Sequence, residues 1–414
     1  MKPRLRWLLA LLALTPARPV PAETTLRVAS YGSFADSVRA AIPLWEKKHP
    51  DVKIHLTTNA YFDHHNAMLN KLELGSTVPD VMAVEVGFIG RFAESGGLED
   101  LGAAPYDARP LLARLLRFTG PQATSGRGIL AAMPADVGPG TLFYRADLLA
   151  KAGVLEEELT TSWESYIEAG KKVRAATKAY LLADAADIMM TIIRADLKDG
   201  EGIFFDEDGK VLVDAPRFRR AFELARAARQ AGVDARFAAF STEWNEAFRR
   251  GVLATQPMGA WLAGQLQNSI APRSKGLWRA AQLPGGAFAS WGGSFYAIPK
   301  EAEHKGEAWE FVRFMCFDVE QQLNAWRSLD AWPALAAAQD DPFVDQPMPF
   351  LGGQKARQLW KVAAAKIPRV AVHRLDQIAS DIVNAELKEV LENDKPIDRA
   401  LADAKRQIER RLEK

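Results

Sequence analysis

Carboxylates, tryptophans and glycines are the side chains whose placement in this 414-residue chain points to chemistry. In GSTVPDVMAVE (75–85), an apolar run from Val81 to Val84 follows Pro79 and Asp80 and closes on Glu85. An uninterrupted apolar run of that length predicts a strand covered on both faces. Glu85 then stands at the carboxyl end of a parallel strand, where open α/β sheets bind their ligands. Aromatic residues recur beside glycine or at strand ends: Tyr31 and Phe34 in ASYGSF, Trp261 in MGAW, Trp291 before Gly292 and Gly293, and Trp326 and Trp332 around AWRSLDAW. Flanking glycines let the backbone approach a ligand. That sets Tyr31, Trp261 and Trp291 apart from Trp45, Trp163, Trp309 and Trp360, whose positions fit the core faces of helices. Flat apolar rings with a few carboxylates are what a pyranose needs. Its C–H face packs on the ring, and its hydroxyls donate to Asp or Glu.

Residues for covalent or phosphoryl chemistry are missing. No GxSxG elbow or Walker-type loop occurs. His64 and His65 are adjacent, so on a helix they point about 100° apart, and neither has a His partner one turn away. They read as solvated histidines. DEDG (206–209) lacks the ligand spacing of a calcium loop and reads as a turn. No metal and no cofactor is expected, and no carboxylate pair can be given acid and base roles from spacing.

The elements that must position these residues alternate from residue 24 onward. TLRVAS (25–30) and VKIHLTT (52–58) read as strands, separated by a helix over 36–49. A helix over 64–75 leads to the Glu85 strand, and a short helix over 87–97 follows. That order predicts an α/β fold with a parallel sheet. Beyond 135 the chain turns to long helices, at 162–176 and 214–232, with a hairpin about Asp208-Gly209 between them. A strand over 293–300, a helix over 306–327 and an exposed amphipathic helix in the last 30 residues complete the pattern.

Composition narrows the class further. The 53 Lys and Arg nearly cancel the 52 Asp and Glu, which gives no support to a nucleic-acid partner. Lys2, Arg4 and Arg6 precede WLLALLAL and a proline-broken stretch ending PVPAET. This is the order of a secretory signal peptide cleaved after Ala22. Its apolar core, about eight residues, is far short of the ~20 that span a bilayer. The single cysteine, Cys316 in EFVRFMCF, reads as a buried small hydrophobe and can form no internal disulfide. No cysteine lies near the cleavage site to carry a lipid, so a soluble periplasmic protein is expected rather than a lipoprotein.

The order of motifs resembles the family 1 extracellular solute-binding proteins of ABC importers, the group of maltose-binding-protein-like sugar receptors. The resemblance runs from about residue 25 to the end. It rests on GSTVPDV with GRFAESGGLEDL, GILAAMPADVGPGTLFYRADLLAKAGV with TSWESY, FRRGVLATQPMGAW, GGSFYAIPK with KGEAWEFVRFM, and NDKPIDRALADAKRQI. The chain departs from it at Tyr31-Gly32, where members commonly carry a tryptophan, and at Ala254-Thr255, where an Ala-Met pair is common.

The resemblance implies a two-lobed periplasmic binding protein fold, each lobe a sheet flanked by helices, with the ligand cleft between the lobes. Strands would cross between them near 132–137, 256–261 and 326–333. After a signal peptide at 1–22, lobe one would hold 23–133 plus 260–325, and lobe two 134–259 plus 326–414. Glu85 and Asp80 would lie at the cleft edge of lobe one, facing Trp261 and the Trp291-Gly292-Gly293 turn; a capping role for Asp80 stays open. Asp136 and Tyr144 would approach from the other lobe, and Tyr31, Phe34, Trp326 and Arg327 complete the candidate set. The implied function is a monomeric, non-enzymatic receptor. It would close on a mono-, di- or oligosaccharide and deliver it to the membrane permease of an ABC importer. Two alternatives stand beside it. One is an exported carbohydrate-active lyase or hydrolase. The other is the same fold holding a polyamine, iron or a glycerol phosphoester; the phosphoester would call for cleft arginines, which Arg327 and Arg369 leave open.

Overall fold

The computed structural model describes residues 23–75, 77–195 and 197–413, and the predicted leader lies outside them. Four strands come from the first part of the chain: β1 (Thr24–Tyr31), β2 (Val52–Asn59), β3 (Val81–Glu85) and β4 (Met133–Arg145). Four more follow: β5 (Thr255–Gly259), β6 (Trp278–Ala281), β7 (Ser290–Ala297) and β8 (Trp332–Pro333). The apolar run before Glu85 forms β3, whose first four residues are buried, as a strand covered on both faces requires. β1 pairs with β2 and β3 in parallel. Helices α1 (Phe34–Lys48), α2 (Tyr61–Leu74) and α3 (Val86–Glu94) follow these three strands in turn. The sheet then changes sense, because β7 joins β3, and β4 joins β7, in antiparallel register.

β4 connects the two halves of the molecule. Its thirteen residues span about 43 Å at the ~3.3 Å rise of a strand. The first half, from Met133 to Pro139, pairs with β7, while Gly140 to Arg145 pair with β5 and β6. β8 adds to Asp136 and Val137. The three segments expected to cross between lobes therefore converge on residues 136–140 of one strand.

Two hydrophobic clusters flank this spine. One packs on β1, β3, β7 and the start of β4 and takes in Trp326, Trp332, Phe350 and Trp360. The other gathers Leu142, Tyr166, Ile188, Phe222 and, from the end of the chain, Leu375 to Ile408. Residues 326–367 thus pack with the first cluster, and β6 pairs with the far half of β4.

Local chemistry refines two expected helices. The span 306–327 is two helices, Lys305–Phe317 and Val319–Leu329, because the Asp318 side chain caps the second by accepting from Gln321 N. The closing helix, Ile397–Leu412, is not simply exposed: it buries Ala400, Leu401, Ala404 and Ile408 along one face. Cys316 is fully buried, as expected of a small hydrophobe. Among the described residues, no helix is long and apolar enough to cross a membrane.

Trp326 belongs to this core. Its ring meets Trp332 edge-on at 4.9 Å and Phe343 at 5.2 Å, and it has no exposed surface. Trp326→Ala should lower unfolding free energy by about 3–5 kcal/mol through cavity formation, seen as a lower denaturant midpoint.

Candidate functional site

Glu85 ends β3 and caps α3 with no intervening loop, so its carboxylate sits at a helix N-terminus. Oε2 accepts from Gly87 N at 2.7 Å and from the Tyr61 hydroxyl at 2.7 Å. Oε1 faces β7 just past Trp291, 3.8 Å from where a Gly292 Cβ would stand. The Glu85 backbone N–H donates to His65 Nε2 at 3.0 Å. An N–H cannot accept, so the His65 proton lies on Nδ1 and donates to the Tyr61 carbonyl at 2.7 Å. His65 therefore fixes both the acceptor and its tyrosine partner. Burial pulls its pKa down to about 3, which keeps it neutral. This corrects the expectation of solvated histidines: His64 and His65 are both fully buried, and His64 Nε2 bonds the Ala83 carbonyl at 2.7 Å.

Across β7 from Glu85, Asp136 Oδ1 accepts from Ser294 N at 2.7 Å, and Ser294 Oγ accepts from the Tyr31 hydroxyl at 2.9 Å. Burial raises the Asp136 pKa to about 6; the nearby Glu85 charge adds to the rise and the bond from Ser294 opposes it. Burial likewise pushes Glu85 upward. Trp261 is locked to β7 by an indole N–H bond to the Trp291 carbonyl at 2.8 Å. The expected turn at 291–293 is instead part of that strand, where Gly292 and Gly293 adopt φ of 88° and 144° beside a register shift against β4.

Two further charged groups near Glu85 come from elements of the second cluster. Arg194 ends the helix Ala186–Ala195 and places its guanidinium 5.4 Å from the Trp291 ring centroid. Its Nη1 donates to the Met190 carbonyl at 3.0 Å, and the Glu85 and Asp376 carboxyls supply the negative field around it. Asp376 starts the helix Asp376–Asn393 and accepts from His373 N at 2.6 Å. Burial raises its pKa to about 7. The backbone around His373 reaches α3, because Gly90 leaves room: a Cβ there would stand 2.6 Å from the His373 carbonyl oxygen.

The structure thus brings together Tyr31, Glu85, Asp136, Trp261, Trp291, Gly292 and Gly293. Phe34 stands behind them, packed on Tyr31 and Tyr296 and lining a small recess beside Asp136. Four expected residues lie elsewhere. Asp80 is at the opposite, amino end of β3. It is fully buried and accepts from Arg27 N at 2.9 Å, from the Arg27 side chain, and from the backbone of Glu303 and His304. Tyr144 is eight residues along β4 from Asp136, and its hydroxyl donates to Glu156 at 2.6 Å. Trp326 is core, and Arg327 pairs with Asp341 at 2.8 Å on the surface. Asp136 also enters beside Ser294, on the β7 side of the crossing, rather than from the far lobe. Tyr61, His65, Arg194 and Asp376 were missed. Only Tyr61 carried a signal, as an aromatic residue directly after a strand, like Tyr31.

Residues 31–322 match the family model of the bacterial extracellular solute-binding proteins. An arabinooligosaccharide-binding protein of Bacillus subtilis is 25% identical over 363 residues, covering 82% of this chain and 81% of that one. A lactose-binding protein of Rhizobium radiobacter is 25% identical, with 80% of each chain covered. The fold also matches the ABC-transporter-associated binding protein of B. animalis subsp. lactis, solved with β-1,6-galactobiose, at a TM-score of 0.79. That pair is 22% identical and covers 93% of this chain and 96% of that one.

The raised pKa of Asp136 has a consequence for stability. A value near 6 against ~4 in an unfolded chain means that the folded state holds the proton more tightly. The contribution of Asp136 to stability therefore falls as pH rises from about 4 to about 6 and is flat above that. Asn does not titrate, so Asp136→Asn should gain stability relative to the unsubstituted protein across that window. Thermal melts of the two proteins between about pH 4 and 8 check this.

Proposed function

This chain belongs to the bacterial extracellular solute-binding protein family, and on that premise we propose that it is the sugar-binding component of an ABC importer. The observation that carries this reading is the gathering of Glu85 Oε1, the Asp136 carboxylate, Trp261 and Trp291 around Gly292 of β7. Carboxylates accept from ring hydroxyls, and indoles cover the C–H face. Arg194 supplies donors from the opposite side. The relatives named for arabino-oligosaccharides and lactose support the same ligand class.

We read the protein as a receptor that releases its ligand unchanged, not as a lyase or hydrolase. Both bonds to Glu85 Oε2 hold that carboxylate in place as an acceptor. The chain acts after export, as a soluble monomer handing sugar to membrane permease subunits. The two bodies meeting on β4 are its lobes, and the ligand is held between Glu85, Asp136 and Trp261 on one side and Arg194 on the other. A ligand that touches both bodies gains more in the closed state, and that difference in affinity drives closure.

Titration calorimetry with arabino-oligosaccharides and lactose tests the reading. Trp261→Ala should weaken binding by about 1.5–3 kcal/mol, the scale of exposing one large apolar contact. Glu85→Gln should cost about 1.5–3 kcal/mol, the value of hydrogen bonds to a charged group. Unchanged affinity in both folded variants would contradict the site.

A further inference from the structure

Phe240 is an aromatic side chain where the backbone disfavours one. Its φ is 66°, in the left-handed region, which is uncommon for a bulky residue. Among the seven described non-glycine residues with positive φ, it alone is apolar. Lys178, Asp330 and Asp394 in that set are helix C-caps, where such a conformation ends a helix. Phe240 ends none. It stands just before Ser241, which caps the next helix, Thr242–Arg250, by accepting from Trp244 N.

Packing does not offset this strain. Phe240 is 61% exposed. Its ring nevertheless has a fixed seat, 5.3 Å from Trp244 and 6.1 Å from Trp261, with only 22° between the Phe240 and Trp261 planes. Trp244 is itself pinned: its indole N–H donates to Gln256 Oε1 at 3.1 Å, and Gln256 Nε2 donates to Asp187 Oδ2 at 3.0 Å. The fixed Trp244 ring thus backs Phe240, whose own ring lies near-parallel to Trp261 at 6.1 Å. Strain held at an exposed aromatic residue is a pointer to function.

We propose that Phe240 is a second aromatic platform that continues the Trp261 face outward, so that the site selects sugars of two or more units over single ones. The inference rests on the sugar reading above and adds ligand length to it. The inner unit meets Trp261, Glu85 and Asp136, and the next unit lies on the exposed face of Phe240. A monosaccharide reaches only the inner set.

Calorimetry with arabinose, arabinobiose and arabinotriose, and with galactose against lactose, tests the assignment. F240A should lose about tenfold in affinity for the longer sugars and stay within about twofold for the monosaccharides. F240Y, which keeps the ring, should bind like the unsubstituted protein. F240N, whose side chain tolerates a left-handed backbone, should melt at the same or a higher temperature. Equal loss for short and long sugars, or loss for neither, overturns the platform while the inner site stands. A lower melting temperature for F240N assigns the ring to stability and also overturns it. If the unsubstituted protein binds none of these sugars, the sugar reading itself fails and the platform with it.

Discussion

The hydrogen bond from Trp261 Nε1 to the Trp291 carbonyl is the contact on which the rest of the site depends. It forms where β4 passes from one pairing partner to the next, and two glycines make room for it. A Cβ on Gly138 would stand 1.8 Å from the Trp291 oxygen, and one on Gly259 would stand 2.3 Å from Trp261 Nε1. Any side chain at either position would push the indole or the carbonyl away. With both bare, β4, β5 and β7 close on one another, and the two tryptophans meet there. The two tryptophans therefore sit where β4 changes pairing partners, between the two hydrophobic clusters.

Electrostatics follow from that crowding. Glu85 and Asp136 lie deep enough that burial raises both carboxyls, yet each holds a defined protein donor that keeps one oxygen in place. What the fold leaves for a ligand is acceptor capacity in a low-dielectric place, where a donated hydroxyl proton counts for more than in water. In the proposed site Arg194 supplies the complementary donors, from a guanidinium seated 5.4 Å from the Trp291 ring centroid. A polyhydroxylated ring with apolar faces satisfies all three demands: it donates to the carboxylates, accepts from the guanidinium and covers the indoles.

Much of this was legible in the sequence where local pattern decides structure. The apolar run into Glu85, the alternation of strands and helices, and the aromatic–glycine neighbours at Trp261 and Trp291 each have a one-dimensional signature. Other parts did not, for physical reasons. Asp80 and Glu85 flank one short strand and look alike in sequence, but they stand at opposite ends of it. Only the packing of Arg27 and the 303–304 backbone shows that Asp80 is fully used as an acceptor. His65 looked solvated because the Glu85 N–H that it accepts from comes from β3, twenty residues on, and only the packing of α2 against that strand reveals it. Arg194 and Asp376 are far from Glu85 along the chain, and only the meeting of the two bodies brings them near. The fold assigned Trp326 and Tyr144 to cores that aromatic content alone could not separate from a cleft.

The central claim is that the ligand is held between two bodies hinged on β4, with Glu85 and Asp136 on one wall and Arg194 on the other. Small-angle X-ray scattering of the protein with and without a saturating arabino-oligosaccharide or lactose tests it most directly. A smaller radius of gyration with sugar, lost in a folded Glu85→Gln variant, is the predicted result. A sugar that binds tightly and leaves the radius of gyration unchanged would describe a rigid cleft and contradict the account.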